Sequence, residues 1–294
     1  MRSGSRTIAI PGAHASAAFF SLMAGGVTWG LTWWPLRFFA DRGLTAYSIV
    51  LIAYGMVTLV SLPVIWRERH RWWPERYWLL AIGLCFGWAN FAFTAAMMMG
   101  PVVRAMLLFY LLPAWGAIGG KLVLNETLGA RRMLAVALSL GGVAVMLVGA
   151  DGWGAPLSLA DITALTAGLG YSGAAIANRK AQSIPIASRT LISFAGCSVP
   201  AVLALPFIAA TLPVIAASTW AWLIVFAFVW LLGATLLTTY GTTHLQASRA
   251  AVLQVVELVV AVVSAVLLGG ETLSRQECLG GAMIVAATLI EARR

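Results

Sequence analysis

Long apolar runs, broken by proline, glycine and charge, follow one another along nearly the whole chain. Lipid offers no hydrogen bonds to a backbone, so apolar runs of about 20 residues are expected to be membrane-spanning helices. Ten are predicted, over 15–39, 45–66, 77–98, 103–123, 132–150, 159–179, 188–211, 219–240, 250–268 and 278–291. The first follows Arg2 and Arg6 as a signal peptide would, but Ala13-His14-Ala15 comes before the apolar stretch and not after it. A retained helix is therefore expected.

Composition agrees with this pattern. Of 294 residues, 61% are hydrophobic and only 10% charged, and the mean hydropathy is +0.91, which excludes a soluble fold of this length. The expected class is an all-α polytopic membrane protein. The 19 Lys and Arg residues outnumber the 10 Asp and Glu, yet they sit in small clusters between apolar runs, a pattern of membrane orientation and not of nucleic-acid binding. With the amino terminus in the cytoplasm, only Arg37, Arg42, Arg104 and Arg275 fall outside. The positive-inside rule then predicts that both termini are cytoplasmic. Trp66, Trp72, Trp73 and Trp78 border the most basic loop, as anchors at a headgroup boundary do. Cys85, Cys197 and Cys278 are too far apart for a disulfide framework or a paired metal motif.

The chain also repeats itself. Glu126-Thr127-Leu128 recurs as Glu271-Thr272-Leu273, a displacement of 145 positions that also maps Ala89 onto Ala234, Arg104-Ala105 onto Arg249-Ala250, Leu108 onto Leu253 and Leu134 onto Leu279. It pairs Asn90 with Thr235 and Thr94 with Thr239, and a slightly different displacement brings Trp29-Gly30 onto Ser172-Gly173. Two units are expected, 1–151 and 152–294, each with five crossings. Since five is odd, the second unit should cross the bilayer upside down relative to the first, with the substrate site near the midplane between them.

Two five-helix halves, a Trp-Gly in the first helix, and a Pro-containing fourth helix ending in Asn125-Glu126-Thr127-Leu128 before a Gly-rich fifth resemble the EamA-type members of the drug/metabolite transporter superfamily. The resemblance covers nearly the whole chain. Its aromatic richness and size are similar to the YddG-type aromatic amino-acid exporters of bacterial inner membranes. The resemblance implies a secondary carrier or facilitator that exports aromatic and other neutral amino acids by alternating access, with no cofactor, no nucleic-acid partner and a plausible monomer in lipid. The second half departs from the pattern in having Leu258 where the first has Pro113, so the halves need not move equivalently.

Polar groups at membrane depth are costly and are expected to face a cavity or a partner. Glu257 is flanked by Val255, Val256, Leu258 and Val259, and it shares one helical face with Gln254, Ala261 and Ser264. It is a candidate to bind a cargo ammonium or take up a proton, or else a structural acid bonded to Gln254 or a neighbouring helix. Gly83, Gly87, Asn90 and Thr94 form a second strip, matched by Thr235 and Thr239, and Asn90 can hold either end of a zwitterion or make an interhelical bond. Trp29, Trp33, Trp88, Tyr110 and Tyr171, with Asn178, are candidate cavity walls for a planar side chain, with plain packing or belt positions the competing reading.

Thr238, Thr242 and Thr243 are expected to bond back to their own helix, and His244 to be an ordinary interfacial histidine. Arg104 and Arg249 are expected to snorkel into headgroups. Glu126 and Glu271, near Arg131 and Arg275, are expected to serve structure through capping or an ion pair. Gly26-xxx-Gly30, Gly83-xxx-Gly87 and Gly116-xxx-Gly120 signal close helix contact. No Walker loop, HExxH or GxSxG motif is present, which excludes ATP-driven transport by this chain alone, and Gln254 with Glu257 is too thin a constellation for an intramembrane enzyme. A carrier of cationic drugs or other small metabolites is the alternative.

Overall fold

The computed structural model describes residues 12–149, 152–153, 157–205 and 215–292. Arg2, Arg6, Arg293, Arg294, the end of the expected seventh run (206–211) and the expected boundary at 150–151 lie outside the described residues. Among the described residues there are ten helical segments. They are α1 (Gly12–Gly30, continued by Trp33–Ala40), α2 (Ala46–Arg67), α3 (Arg76–Met99), α4 (Val102–Leu124), α5 (Ala130–Leu147), α6 (Leu159–Lys180), α7 (Ile186–Ala204), α8 (Ala217–His244), α9 (Ala247–Leu267) and α10 (Arg275–Ala292). A two-residue antiparallel pair, Val148–Gly149 with Gly152–Trp153, is the strand structure they contain.

Six of these segments, α2, α4, α5, α7, α8 and α3 with its preceding turn, are long and apolar enough to cross a membrane, and Val252–Leu267 in α9 is a shorter apolar stretch. In α8 the most apolar window has a mean hydropathy of 2.2 but is only 28% buried inside the protein. Exposed apolar surface on that scale needs lipid around it.

Local chemistry explains where helices start and break. Ser158 and Asp161 close a capping box at the start of α6, each side chain bonding the other's backbone N–H at 3.1 and 3.0 Å. Pro113 removes a backbone donor and clashes with the carbonyl four residues earlier, and α4 is accordingly interrupted between Phe109 and Leu112. Leu258 has no such effect, and α9 runs unbroken from Ala247 to Leu267. Thr238 and Thr242 bond back to carbonyls of their own helix as expected, and Thr235 does the same.

The principal packing joins helices far apart in sequence: α3 lies against α6 and α7, α1 against α8 and α9, and α5 against α10. Glycines set the closest of these approaches. A Cβ on Gly87 would stand 2.1 Å from the Gly196 backbone, and one on Gly196 only 1.8 Å from the Gly83 carbonyl oxygen, so α3 and α7 touch main chain to main chain. A Cβ on Gly30 would lie 2.6 Å from the Glu257 carbonyl oxygen, which seats α1 directly on α9. The third glycine pair behaves otherwise. Gly116 faces open space and Gly120 faces the Glu126 carboxylate, so this pair mediates no helix contact.

Three charge expectations are corrected by the packing. Arg104 does not snorkel: it makes a bidentate pair with Asp161 at 2.7 and 3.0 Å, tying the start of α4 to the start of α6. Glu271 pairs with Arg37 and not Arg275. Glu126 pairs with Arg132 and, on another helix, Arg179. In each case the partner comes from spatial proximity that linear spacing does not show. Partial burial alone would raise the Glu126 pKa, but Arg179 and Arg132 outweigh it and hold the carboxyl below its usual range.

Substituting Gly196 with Ala is expected to force α3 and α7 apart at a cost of about 1–3 kcal/mol, as in other overpacked contacts. The thermal unfolding midpoint in detergent should fall by several degrees. Gly55→Ala is the control, because a Cβ there meets nothing within 4 Å, and it should unfold at or above the parent temperature.

Candidate functional site

A cavity of about 330 Å³ opens among α1, α3, α4, α6, α7, α8 and α9. At mid-length of the helices it is walled by aromatic rings. Phe86 meets Tyr171 edge to face at 5.5 Å, Tyr171 meets Phe109 at 5.7 Å, and Phe109 meets Phe93 at 5.2 Å. Trp29 of α1 completes this apolar lining. Such a wall suits a planar apolar group, which offset and edge-on ring contacts stabilise beyond simple burial.

Polar groups interrupt the wall at a few points. Glu257 and Gln254 face the cavity from α9, where Gln254 donates to the Tyr171 hydroxyl at 3.2 Å. Tyr110 stands just behind them, donating to the Gln254 carbonyl at 2.8 Å beside the Glu257 carboxyl. The unwound stretch that Pro113 imposes on α4 begins at this tyrosine, so the break in the helix is what delivers the hydroxyl to α9. Asn90 lines the opposite side. Its amide donates to Phe86 O at 2.8 Å, and its carbonyl oxygen accepts from Tyr54 at 3.3 Å. Asn90 thus serves both an interhelical bond and the cavity surface.

From this polar centre the cavity continues toward the end of the bundle where α6 finishes, α7 begins and α8 finishes, past Asn178, Arg189, Thr190, Ser193, Thr239 and Thr242. No lining residue comes from the opposite end. Arg189 donates to the Asn178 carbonyl at 3.3 Å, while its buried Nε has no hydrogen-bond partner. A guanidinium on a cavity wall is suited to receive an anionic group.

Of the residues expected from sequence, Trp29, Asn90, Tyr171, Asn178, Thr235, Thr239, Gln254 and Glu257 come together on this cavity. The other four lie off its wall. Trp33 is buried at the far end of α1 and donates to Ser264 at 2.9 Å. Trp88 is 49% exposed, on the outer side of α3. Thr94 is buried against Tyr54, and Tyr110 supports Gln254 and Glu257 from behind. Phe86, Phe93 and Phe109 were not singled out, because phenylalanine in an apolar helix carries no signal of its facing. Arg189, at the start of the expected seventh helix, reads in sequence as one more cytoplasmic basic residue. His244 bonds its own helix at the Tyr240 carbonyl and is stacked on the Tyr240 ring. The described residues contain no cluster of metal-ligating side chains.

Comparison with known proteins places this architecture. The EamA-like transporter family matches twice, over residues 16–148 and 158–291, and the chain belongs to that family, within the drug/metabolite transporter superfamily. It is therefore a multi-pass membrane transporter handling a small-molecule substrate. It is 27% identical over 253 residues to an uncharacterized transporter of Archaeoglobus fulgidus, spanning 86% of this chain and 89% of that one. A solved crystal structure with 17% identity superposes with a TM-score of 0.62 over 94% of this chain and 96% of its own, showing the same fold.

Asn90→Ala and Thr94→Ala, one turn apart on α3, separate cavity from packing. Asn90→Ala should weaken cargo affinity severalfold, with a modest fall in the unfolding temperature from the lost Tyr54 bond. Thr94→Ala should lower the unfolding temperature and leave affinity near the parent value. Equal losses of both properties in both variants would place Asn90 with the packing residues.

Proposed function

We propose that this chain is an exporter of aromatic and other neutral amino acids in a bacterial cytoplasmic membrane. In this reading all ten helical segments cross the bilayer, both termini are cytoplasmic, and 1–151 and 152–294 are inverted-topology repeats that alternately open a shared midplane cavity. The observation that carries the reading is the make-up of that cavity: an aromatic wall, a carboxyl at Glu257 and a guanidinium at Arg189. Apolar side chain, ammonium and carboxylate are the three parts of an aromatic amino acid, and each meets a matching surface.

The positive-inside orientation supports the direction of transport. It puts the ends of α6 and α8 and the start of α7 on the cytoplasmic side, so the cavity faces the compartment from which an exporter loads. A drug-like cation would use Glu257 and the aromatic rings but would gain nothing from Arg189.

Purified protein in liposomes preloaded with unlabelled tryptophan, phenylalanine or methionine should accumulate the labelled amino acid by counterflow, with lysine and glutamate inactive. Arg189→Gln should raise the apparent KM for tryptophan roughly tenfold or more, as expected from the ~1.5–3 kcal/mol of a hydrogen bond to a charged group, and leave tryptamine unaffected. Glu257→Gln should impair tryptophan counterflow or flatten its pH dependence. Counterflow of tryptamine and cationic dyes without any amino acid would overturn this assignment in favour of a cation exporter.

A further inference from the structure

The two Glu-Thr-Leu loops occupy equivalent places in the repeat, yet their carboxylates are bound differently. Glu271 lies just after α9 and accepts from the first backbone amides of α4, Val102 N at 2.8 Å and Val103 N at 3.0 Å. It also receives the Arg37 guanidinium at 2.5 Å. This is a strong position for a carboxylate, because unsatisfied N–H groups and the positive end of the helix dipole converge on it.

The displacement of 145 positions carries Glu271 onto Glu126, and Val102-Val103 onto Ala247-Ser248 at the start of α9. A molecule with both ends alike would dock Glu126 on those amides. Instead the described hydrogen bonds of the Glu126 carboxylate go to Arg132, at 2.5 Å, and Arg179. Arg179 belongs to the last turn of α6 as Arg37 belongs to that of α1, so the glutamate–arginine half of the arrangement is common to both ends. Among the described hydrogen bonds, docking on helix amides is made at one end only.

That difference follows the cavity. Glu271 is docked at the end that contributes no lining residue, and Glu126 is undocked at the end toward which the cavity opens. Met97 and Thr242 occupy one position of the repeat, and Met97 is 2% exposed whereas Thr242 lines the cavity.

We propose that Glu126 and Glu271 are reciprocal latches and positioning residues for transport: each closes its own end of the cavity by docking on the amino terminus of the long helix from the other half, and the two are never docked together. In the opposite state Glu271 leaves Val102 and Val103, and Glu126 leaves Arg132 for Ala247 and Ser248. The inference rests on the alternating-access reading, and the latch exchange is its mechanical content.

The test uses the full chain in liposomes with Cys85, Cys197 and Cys278 replaced by Ala, and a reporter cysteine at Met97→Cys or Thr242→Cys. A membrane-impermeant maleimide is applied from the side facing each reporter. Glu271→Gln should raise labelling of the Met97→Cys reporter several-fold and reduce that of Thr242→Cys, while Glu126→Gln should move both reporters the other way. Arg37→Gln loosens the same latch without touching its carboxylate and should act as Glu271→Gln does, which covers a Glu271 variant that folds poorly. Shifts in the same direction for the two glutamates, or none in a parent whose reporters both react, overturn the latch and leave alternating access standing. A Met97→Cys reporter that stays unlabelled in the parent during active counterflow overturns alternating access itself.

Discussion

A charge inside a lipid-surrounded bundle has no water to fall back on, and this constraint organises the connections between distant parts of the chain. Arg104 finds its partner in Asp161, 57 residues later at the start of α6. Arg37 is satisfied by Glu271, 234 residues later. Each pair fixes one helix end against another, so the charged residues act as joints at the ends of the helices. The interior between those ends is left to glycine, alanine and aromatic packing. There, main-chain contacts such as Gly87 with Gly196 hold the helices close around the hollow.

The hollow is placed by the same economy. Glycines of α1 allow it to lie on the backbone of α9, and this contact sets the height and facing of Glu257. Tyr110 meets Glu257 and Gln254 from behind, and the aromatic ladder of Phe86, Tyr171, Phe109 and Phe93 walls the side formed by α3, α4 and α6. Positions on five different helices are therefore fixed before any cargo arrives, as preorganised recognition requires.

Much of the helix layout was legible in the sequence because the membrane reduces the problem to apolar length and punctuation. α6 begins at the expected Leu159, and the interruption of α4 follows from Pro113. Glu257, Gln254 and Asn90 were legible as costly polar groups in apolar surroundings. Facing was not. Trp33 and Phe109 are both aromatics in apolar helices, and only the rotation and contacts of each helix decide that Phe109 meets the cavity while Trp33 bonds Ser264. Ion-pair partners were equally hidden. Glu126 has Arg131 and Arg132 as neighbours in sequence, but its carboxylate also reaches Arg179 on another helix. Arg189 reads as a cytoplasmic orientation charge at a helix start, and only the packing of α6 and α8 beside α7 turns it to the cavity.

The interruption of α4 has a further consequence. Tyr110, where the regular helix stops, is also the residue whose hydroxyl holds the Gln254 carbonyl beside Glu257. The same residue thus ends the first regular stretch of α4 and bonds the polar turn of α9, so the position of that turn in the cavity depends directly on where α4 breaks.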